Sequence, residues 1–105
     1  MSDNRRIATR HPVSLPATLA VAGGAKVSCM LSNLSLGGAF LDTQRLAMGE
    51  RVHLSFKLPG LEDVIETQST VRWSTQEGIG VQFDGLRARD VWALNRFFEQ
   101  LRSSP

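Results

Sequence analysis

Residues 51–58 read Arg51-Val52-His53-Leu54-Ser55-Phe56-Lys57-Leu58. Polar and apolar side chains alternate at every step, which is the period of a β-strand with one buried face and one face in contact with solvent. The strong turn signal Pro59-Gly60 follows directly. A single apolar face per strand is typical of antiparallel sheets. The stretch therefore predicts one strand of an antiparallel sheet.

Similar apolar runs lie on both sides of this strand, at residues 13–21, 27–31, 39–41, 65–73 and 79–83. Turn-forming residues separate them, for example Gly23-Gly24. Trp73 has the same parity as Val71 and is expected to share the apolar face of its strand. Six short strands with turn signals between them predict a small antiparallel barrel. The sequence contains no evident internal repeat.

The last segment changes from the period of a strand to that of a helix. One helical stripe is formed by Val91, Leu94, Phe98 and Leu101. Either Asp84 or Asp90 could cap its start. The predicted fold is therefore all-β with a C-terminal helix, a six-stranded antiparallel β-barrel capped by one α-helix. Its parts are an extended, flexible basic arm over residues 1–12, the barrel over 13–84 and the helix over 85–102.

The composition is that of one globular domain. The chain has 105 residues, of which 42% are hydrophobic and 21% are charged. Its one cysteine, Cys29, cannot form an internal disulfide, which favours a reducing compartment. The sequence shows neither an apolar run as long as a membrane span nor the apolar segment of a signal peptide. We therefore expect a cytoplasmic protein without a membrane span.

The net charge of +2 is concentrated at the N-terminus. The first twelve residues hold Arg5, Arg6 and Arg10 against Asp3, whereas residues 13–105 hold nine basic and nine acidic residues. A nucleic-acid binder usually carries a basic face across its fold, and a single-strand binder adds exposed aromatic rings. Here the aromatic residues fall mainly in apolar runs. The charge distribution indicates that the ligand is a small anion such as a phosphodiester, and no DNA or RNA partner is expected.

Residues for catalysis or metal binding are few. His11 and His53 are far apart in the sequence, and no nucleophile elbow, P-loop or dinucleotide-binding glycine motif is present. Paired histidine, cysteine or carboxylate spacing for a metal is also missing. Cys29 is expected to be a small core residue. The sequence predicts no enzyme activity, no catalytic residue, no metal and no cofactor.

A polar turn, Asn33-Leu34-Ser35-Leu36-Gly37-Gly38, follows the second predicted strand. The side chains of Asn33 and Ser35 can hydrogen-bond a purine edge or the local backbone. Gly37 and Gly38 permit positive φ and let a ligand approach the main chain. The same residues would also form an ordinary turn, so the motif alone leaves both interpretations open.

The arginines are equally open to two interpretations. In an extended arm, Arg6 and Arg10 would stand about 13 Å apart at most. Their guanidinium groups can form forked hydrogen bonds to phosphate or guanine acceptors, or stack on a base. A solubilising basic tail is the alternative.

The two motifs in combination resemble the PilZ domain family. The sequence has Arg6-Ile7-Ala8-Thr9-Arg10, then the Asn33–Gly38 turn, then Arg72-Trp73 and Gly78-Ile79-Gly80-Val81-Gln82-Phe83. The resemblance covers residues 5–101. PilZ domains are bacterial receptors for cyclic di-GMP that fold as six-stranded barrels.

The resemblance also implies roles for individual residues. Arg6 and Arg10 would bind the phosphates and guanine faces, and Asn33 and Ser35 would hydrogen-bond a guanine. Gly38, with Gly37 beside it, would leave room for the ligand. The family often has Asp in place of Asn33, but Asn can still meet a guanine edge. Arg5 resembles its counterpart in members that bind an intercalated dimer, so one or two nucleotides per site remain possible.

The function implied is a cyclic di-GMP receptor or adaptor. Nucleotide binding would change its surface and so signal to a separate partner protein. The alternative is a PilZ-like protein-interaction module that does not bind nucleotide.

Overall fold

The computed structural model describes residues 10–21, 24–60 and 64–103. Six strands are followed by one helix: β1 (His11–Ala20), β2 (Lys26–Leu34), β3 (Gly38–Asp42), β4 (Arg51–Lys57), β5 (Val64–Ser74), β6 (Ile79–Phe83) and α1 (Ala88–Ser103). The strands form a closed antiparallel barrel in the order β1-β2-β3-β6-β5-β4, with β4 pairing back to β1. The predicted fold class is confirmed.

The barrel interior is filled by the apolar face of each strand. Leu31, Leu41, Leu54 and Ile79 are fully buried, as the period-two alternation requires. From α1, Leu94, Phe97 and Phe98 join the same core. Burying side chains of this size contributes about 1.5–3 kcal/mol each, which keeps the helix on the barrel.

The first strand begins earlier than the sequence indicates. His11 and Pro12, which the sequence places in the arm, pair with Leu34 and Asn33 of β2. A proline lacks the N–H donor, but its φ is compatible with extended chain. The rest of the predicted arm, residues 1–9, lies outside the described residues.

The helix also begins at a different residue, Ala88 instead of residue 85. Asp90 is buried, and its carboxylate accepts hydrogen bonds from the backbone N–H and Nε of Arg87, at 3.4 and 3.2 Å. A carboxylate that reaches back to the N-terminal N–H groups is the capping arrangement. Asp84 instead accepts a hydrogen bond from the Thr70 hydroxyl at 2.9 Å and lies 3.4 Å from Arg51. Within the described ranges, no helix is both long and apolar enough to cross a membrane.

Besides a register shift between Pro12 and Leu15 in the pairing of β1 with β2, two β-bulges change the direction of the side chains that follow them. In the pairing of β2 with β3, the register shifts between Leu31 and Asn33. In the pairing of β5 with β6, it shifts between Val71 and Trp73. An extra residue reverses the alternation, since side chains repeat with a period of two. The prediction that Trp73 shares the buried face of Val71 is therefore wrong, and 41% of Trp73 is exposed.

Candidate ligand-binding site

A row of four residues crosses four neighbouring strands. Asn33 of β2 pairs with Phe40 of β3, Phe40 pairs with Gly80 of β6, and Gly80 pairs with Trp73 of β5. Neighbouring strands lie about 4.8 Å apart, so the row is roughly 14 Å long between the outer Cα atoms. Both bulges turn the ends of this row outward. The row forms the floor of a surface cleft and contains polar, aromatic and small residues.

A cleft of about 420 Å³ lies above this floor. It brings together five of the seven site residues predicted from the sequence, namely Arg10, Asn33, Ser35, Gly37 and Gly38. Arg5 and Arg6 lie outside the described residues. The volume is within the range of small-molecule sites, about 300–1,000 Å³.

The hydroxyl of Ser35 is occupied within the turn. Its Oγ accepts hydrogen bonds from the N–H groups of Gly37 and Gly38, both at 3.1 Å, and donates one to the carbonyl of Gly38 at 3.2 Å. The backbone N–H of Ser35 donates to the same carbonyl at 2.9 Å. Ser35 is buried, with 6% exposed. These contacts give Ser35 a structural part, which is to hold the turn that forms one wall of the cleft.

Gly38 is required by the packing of the sheet. It pairs with Gln82 at the start of the β3–β6 ladder, and a Cβ at this position would collide with the carbonyl oxygen of Val81. Gly37 and Gly38 do not have positive φ, the conformation that glycine would have permitted there. Close approach of two backbones, and not a left-handed turn, explains this glycine.

Asn33 owes its position to the bulge. The buried face of β2 passes from Leu31 to Leu34, and Asn33 is left half-buried at the edge of the cleft. Its amide makes no hydrogen bond to any other described residue. An amide carries both donors and an acceptor, so this side chain can pair with the edge of a base.

Arg10 and Trp73 form the opposite wall. The guanidinium carbon of Arg10 lies 5.4 Å from the centroid of the Trp73 ring, within the range of a cation–π contact. The indole lies against Gly80, where a Cβ would collide with its ring atoms. Gly80 therefore provides the space that this ring occupies.

Three residues that the sequence does not mark as site residues also line the cleft, namely Arg72, Trp73 and Gln82. Arg72 and Trp73 were recognised only as part of the family pattern. The sequence carries no signal that could have identified Arg72 and Trp73 further, because both continue the regular alternation of polar and apolar residues along β5.

The electrostatics of the cleft favour an anion. Arg10 and Arg72 are its charged lining residues, and no aspartate or glutamate is among the described lining residues. Among the described residues, no group of three or more histidine, cysteine or acidic side chains could hold a metal ion. The cleft can offer two guanidinium groups, the amides of Asn33 and Gln82 and the rings of Phe40 and Trp73 to a ligand, which are groups that bind phosphates and bases.

Comparisons with known proteins agree with this fold. The family model described as the PilZ domain matches residues 4–100. The structure is similar to MotI/DgrA, the inhibitor of motility of Bacillus subtilis, with a TM-score of 0.76 and 22% identity over 93% of this chain and 52% of that chain. It is also similar to the PilZ domain of CeSA from a cellulose-synthesizing bacterium, with a TM-score of 0.71 and 18% identity over 90% of this chain and 99% of that chain.

A third similar structure is that of Borreliella burgdorferi PlzA in complex with c-di-GMP. Its TM-score is 0.61, with 20% identity over 93% of this chain and 37% of that chain. The chain therefore spans about half the length of MotI/DgrA and a smaller part of PlzA. A search of curated protein sequences gave no match. At these identities the structural likeness concerns the fold.

Proposed function

This chain belongs to the PilZ domain family, and on that premise we propose that it is a receptor for cyclic di-GMP that signals to a partner protein. The observation that carries the proposal is the convergence of Arg10, Asn33 and the 35–38 turn on one cleft, although they are distant in sequence. The complex of PlzA with c-di-GMP supports this choice of ligand.

Cyclic di-GMP carries two phosphodiesters and two guanines, and the cleft offers groups for each. Arg10 binds a phosphate or a guanine face, and Arg72 adds a second guanidinium in the same cleft. Asn33 pairs with a guanine edge. Ser35, Gly37 and Gly38 form the wall against which the nucleotide lies.

Arg5 and Arg6 extend the cationic set on the N-terminal side of Arg10. We propose that Arg6 joins Arg10 on the phosphates and that Arg5 allows a second, intercalated nucleotide to bind. Charge-assisted hydrogen bonds of this kind contribute about 1.5–3 kcal/mol each, which offsets the entropy lost when the arm closes on the ligand.

A contact between the segment that carries Arg10 and helix α1 could transmit ligand binding to a partner protein. His11, which follows Arg10 directly, stacks on Phe98 of α1 with ring centroids 4.2 Å apart and planes inclined by 18°. A ligand that moves Arg10 therefore acts on a segment that packs on the helix. We propose that the surface around His11 and α1 changes on binding and is read by a separate protein.

The receptor is proposed to act in the bacterial cytoplasm, where it would bind its messenger and partner without catalysing a reaction. Cyclic di-GMP is a ligand in this scheme and not a cofactor. The proposed function requires no DNA, RNA or metal.

Isothermal titration with cyclic di-GMP tests the proposal. We expect saturable heat for the natural protein and a loss of affinity of about tenfold or more for Arg10→Ala and Asn33→Ala, because each removes a direct contact. Arg45→Ala is the matched control, since Arg45 is exposed on the β3–β4 connection and does not line the cleft.

Circular dichroism of each variant checks that the barrel is intact. Absence of heat at tens of micromolar nucleotide would contradict the proposal and favour an interaction module that does not bind nucleotide. Equal affinities of Arg10→Ala and the natural protein would show that the ligand binds elsewhere.

A further inference from the structure

We propose that the outward face of α1 is a dimerisation surface, and that its occupant is α1 of a second copy of this chain, running in the opposite direction. Four exposed residues form this face, which we call the outer stripe: Arg89, Trp92, Arg96 and Glu99. The inference goes beyond the proposed function, and none of these four residues lines the cleft.

The four side chains lie on the side of α1 that faces away from the barrel. Successive members of the outer stripe are three or four residues apart, so they line up along one helix face. All four are exposed, Trp92 by 60%. On the opposite side of the helix, Leu94, Phe97 and Phe98 join the core. His11 stacks on Phe98, so pairing through the outer stripe would leave that contact in place.

Trp92 is the member of the outer stripe that gains most from a partner. An indole that stays 60% exposed leaves a large apolar area in water, and burial of such area drives association. The guanidinium carbon of Arg96 lies 5.5 Å from the centroid of this ring, so a cation–π contact restrains the indole. Tryptophan and arginine are enriched among the residues that dominate binding energy at protein interfaces. The pair is therefore a preformed anchor.

The charges along the outer stripe indicate which partner fits it. Arg89 lies in the first turn of α1, and Glu99 lies near the other end of the helix. A uniformly acidic partner would be attracted by Arg89 and Arg96 but repelled by Glu99. A second α1 in the opposite direction instead brings its glutamate to the level of Arg89 and its arginine to the level of Glu99. The outer stripe is therefore complementary to itself.

One register satisfies both kinds of contact. When two antiparallel helices cross at residue 94, each residue meets the one that lies equally far on the other side of residue 94. Arg89 then faces Glu99 of the second copy, and Trp92 faces Arg96 of the second copy. By symmetry each contact occurs twice, which gives two ion pairs and two cation–π contacts around one two-fold axis.

The size of the helix limits the strength of this dimer. A helix of 16 residues is roughly 24 Å long, and one face of it buries less than the ~800 Å² per partner of a standard interface. Arg89 also has a neighbour in its own chain, since its Nε lies 3.8 Å from the carboxylate of Asp90, although 54% of its side chain stays exposed. We therefore expect a weak dimer, with a dissociation constant on the order of 10–100 μM.

Sedimentation velocity over a range of chain concentrations, without nucleotide, tests the inference. We expect the average mass to rise from the 11.5 kDa of one chain toward twice that value. Trp92→Ala should weaken the dimer about tenfold or more, because it removes the anchor from both copies. Lys57→Glu is the control for altered surface charge, since Lys57 is exposed on β4 and lies outside the outer stripe.

A charge exchange tests the antiparallel register itself. Arg89→Glu opposes two carboxylates at each end of the pair, and Glu99→Arg opposes two guanidinium groups, so each should weaken the dimer about three- to tenfold. The double variant Arg89→Glu/Glu99→Arg restores opposite charges and should recover most of the lost affinity. Circular dichroism checks that each variant keeps its helix.

A natural chain that stays monomeric at concentrations on the order of 1 mM would overturn the inference. Unchanged association of Trp92→Ala would also overturn it, as would a double variant that associates no better than the two single ones. None of these results bears on the proposed function, which the titration with cyclic di-GMP tests separately.

Discussion

Hairpins β2–β3 and β5–β6 are the same structure built twice. Ser35 begins one turn and Thr75 begins the other, and each hydroxyl accepts hydrogen bonds from the N–H groups two and three residues ahead. Each turn ends in a glycine whose Cβ would collide with a carbonyl of the opposite hairpin, Gly38 with Val81 and Gly78 with Leu41. Equivalent positions of the two hairpins are 40 residues apart throughout, and the same offset relates the bulge between Leu31 and Asn33 to the bulge between Val71 and Trp73.

The two hairpins differ in the residues that these shared contacts leave free. Exposed Gly37 in the first turn corresponds to exposed Glu77 in the second, and Gln82 beside the cleft corresponds to Asp42 on the other side. The side of the sheet next to Arg10, with Gly37 and Gln82, is therefore neutral, whereas the other side carries the carboxylates of Glu77 and Asp42. The hydroxyl and glycine positions therefore specify the scaffold, while the positions near them decide which side can bind an anion.

The largest effect on stability is expected when the glycine that ends each turn, Gly38 or Gly78, is replaced. Gly38→Ala and Gly78→Ala should each lower the free energy of unfolding by about 1–3 kcal/mol or more, because the new methyl group meets backbone that cannot rotate away. Urea unfolding followed by tryptophan fluorescence measures this loss.

Gly85→Ala is the control for that comparison. A Cβ at Gly85 has no heavy atom within 4 Å, so its effect should stay within about 0.5 kcal/mol. If Gly38→Ala were as stable as Gly85→Ala, the glycine would serve the ligand and not the sheet.

Removing the hydroxyl of Ser35 or Thr75 should lower the free energy of unfolding by a smaller amount, which differs between the two residues. Ser35→Ala removes the acceptor of two N–H groups at a buried position and should cost about 1–2 kcal/mol. Thr75→Ala should cost less, since Thr75 is only half-buried and water can replace the lost partner. Thermal unfolding of both variants checks the order, and a larger loss for Thr75→Ala would show that burial does not set the difference.

The smallest effect is expected from changing the charge at positions 82 and 42, and it concerns the affinity for cyclic di-GMP. Gln82→Glu adds a carboxylate beside the cleft with little change of shape and should weaken cyclic di-GMP binding up to about fivefold. The loss should diminish as salt is added. Asp42→Asn, at the corresponding position of the first hairpin, should leave the affinity unchanged. An equal effect of both substitutions would mean that the long-range field, and not the cleft, controls binding.

Much of this fold follows from the spacing of apolar residues along the sequence. The alternation at Val52, Leu54 and Phe56 predicts a strand with one buried face, and all three residues are buried. The stripe that contains Leu94 and Phe98 predicts the helix correctly. The first residue of the helix does not follow from the sequence, because a carboxylate at either Asp84 or Asp90 satisfies the same capping rule.

The cleft could be predicted only in part. Asn33 and Ser35 stand out because turns and ligands use the same polar groups, so the sequence cannot separate their roles. The structure shows that the hydroxyl of Ser35 is bound within the turn, whereas the amide of Asn33 has no hydrogen-bond partner among the described residues. Trp73 was misplaced because a bulge shifts the period by one residue, and no residue type in β5 marks where this happens.

Binding of the nucleotide beside the 35–38 turn is tested most directly by a ¹H–¹⁵N spectrum recorded during titration with cyclic di-GMP. We predict that the amide signals of residues 35–38 and the indole signal of Trp73 shift or broaden as the nucleotide is added, while those of residues 75–78 change little. Equal changes at the two turns, or changes confined to residues 75–78, would contradict the claim that the 35–38 turn, and not the 75–78 turn, borders the ligand.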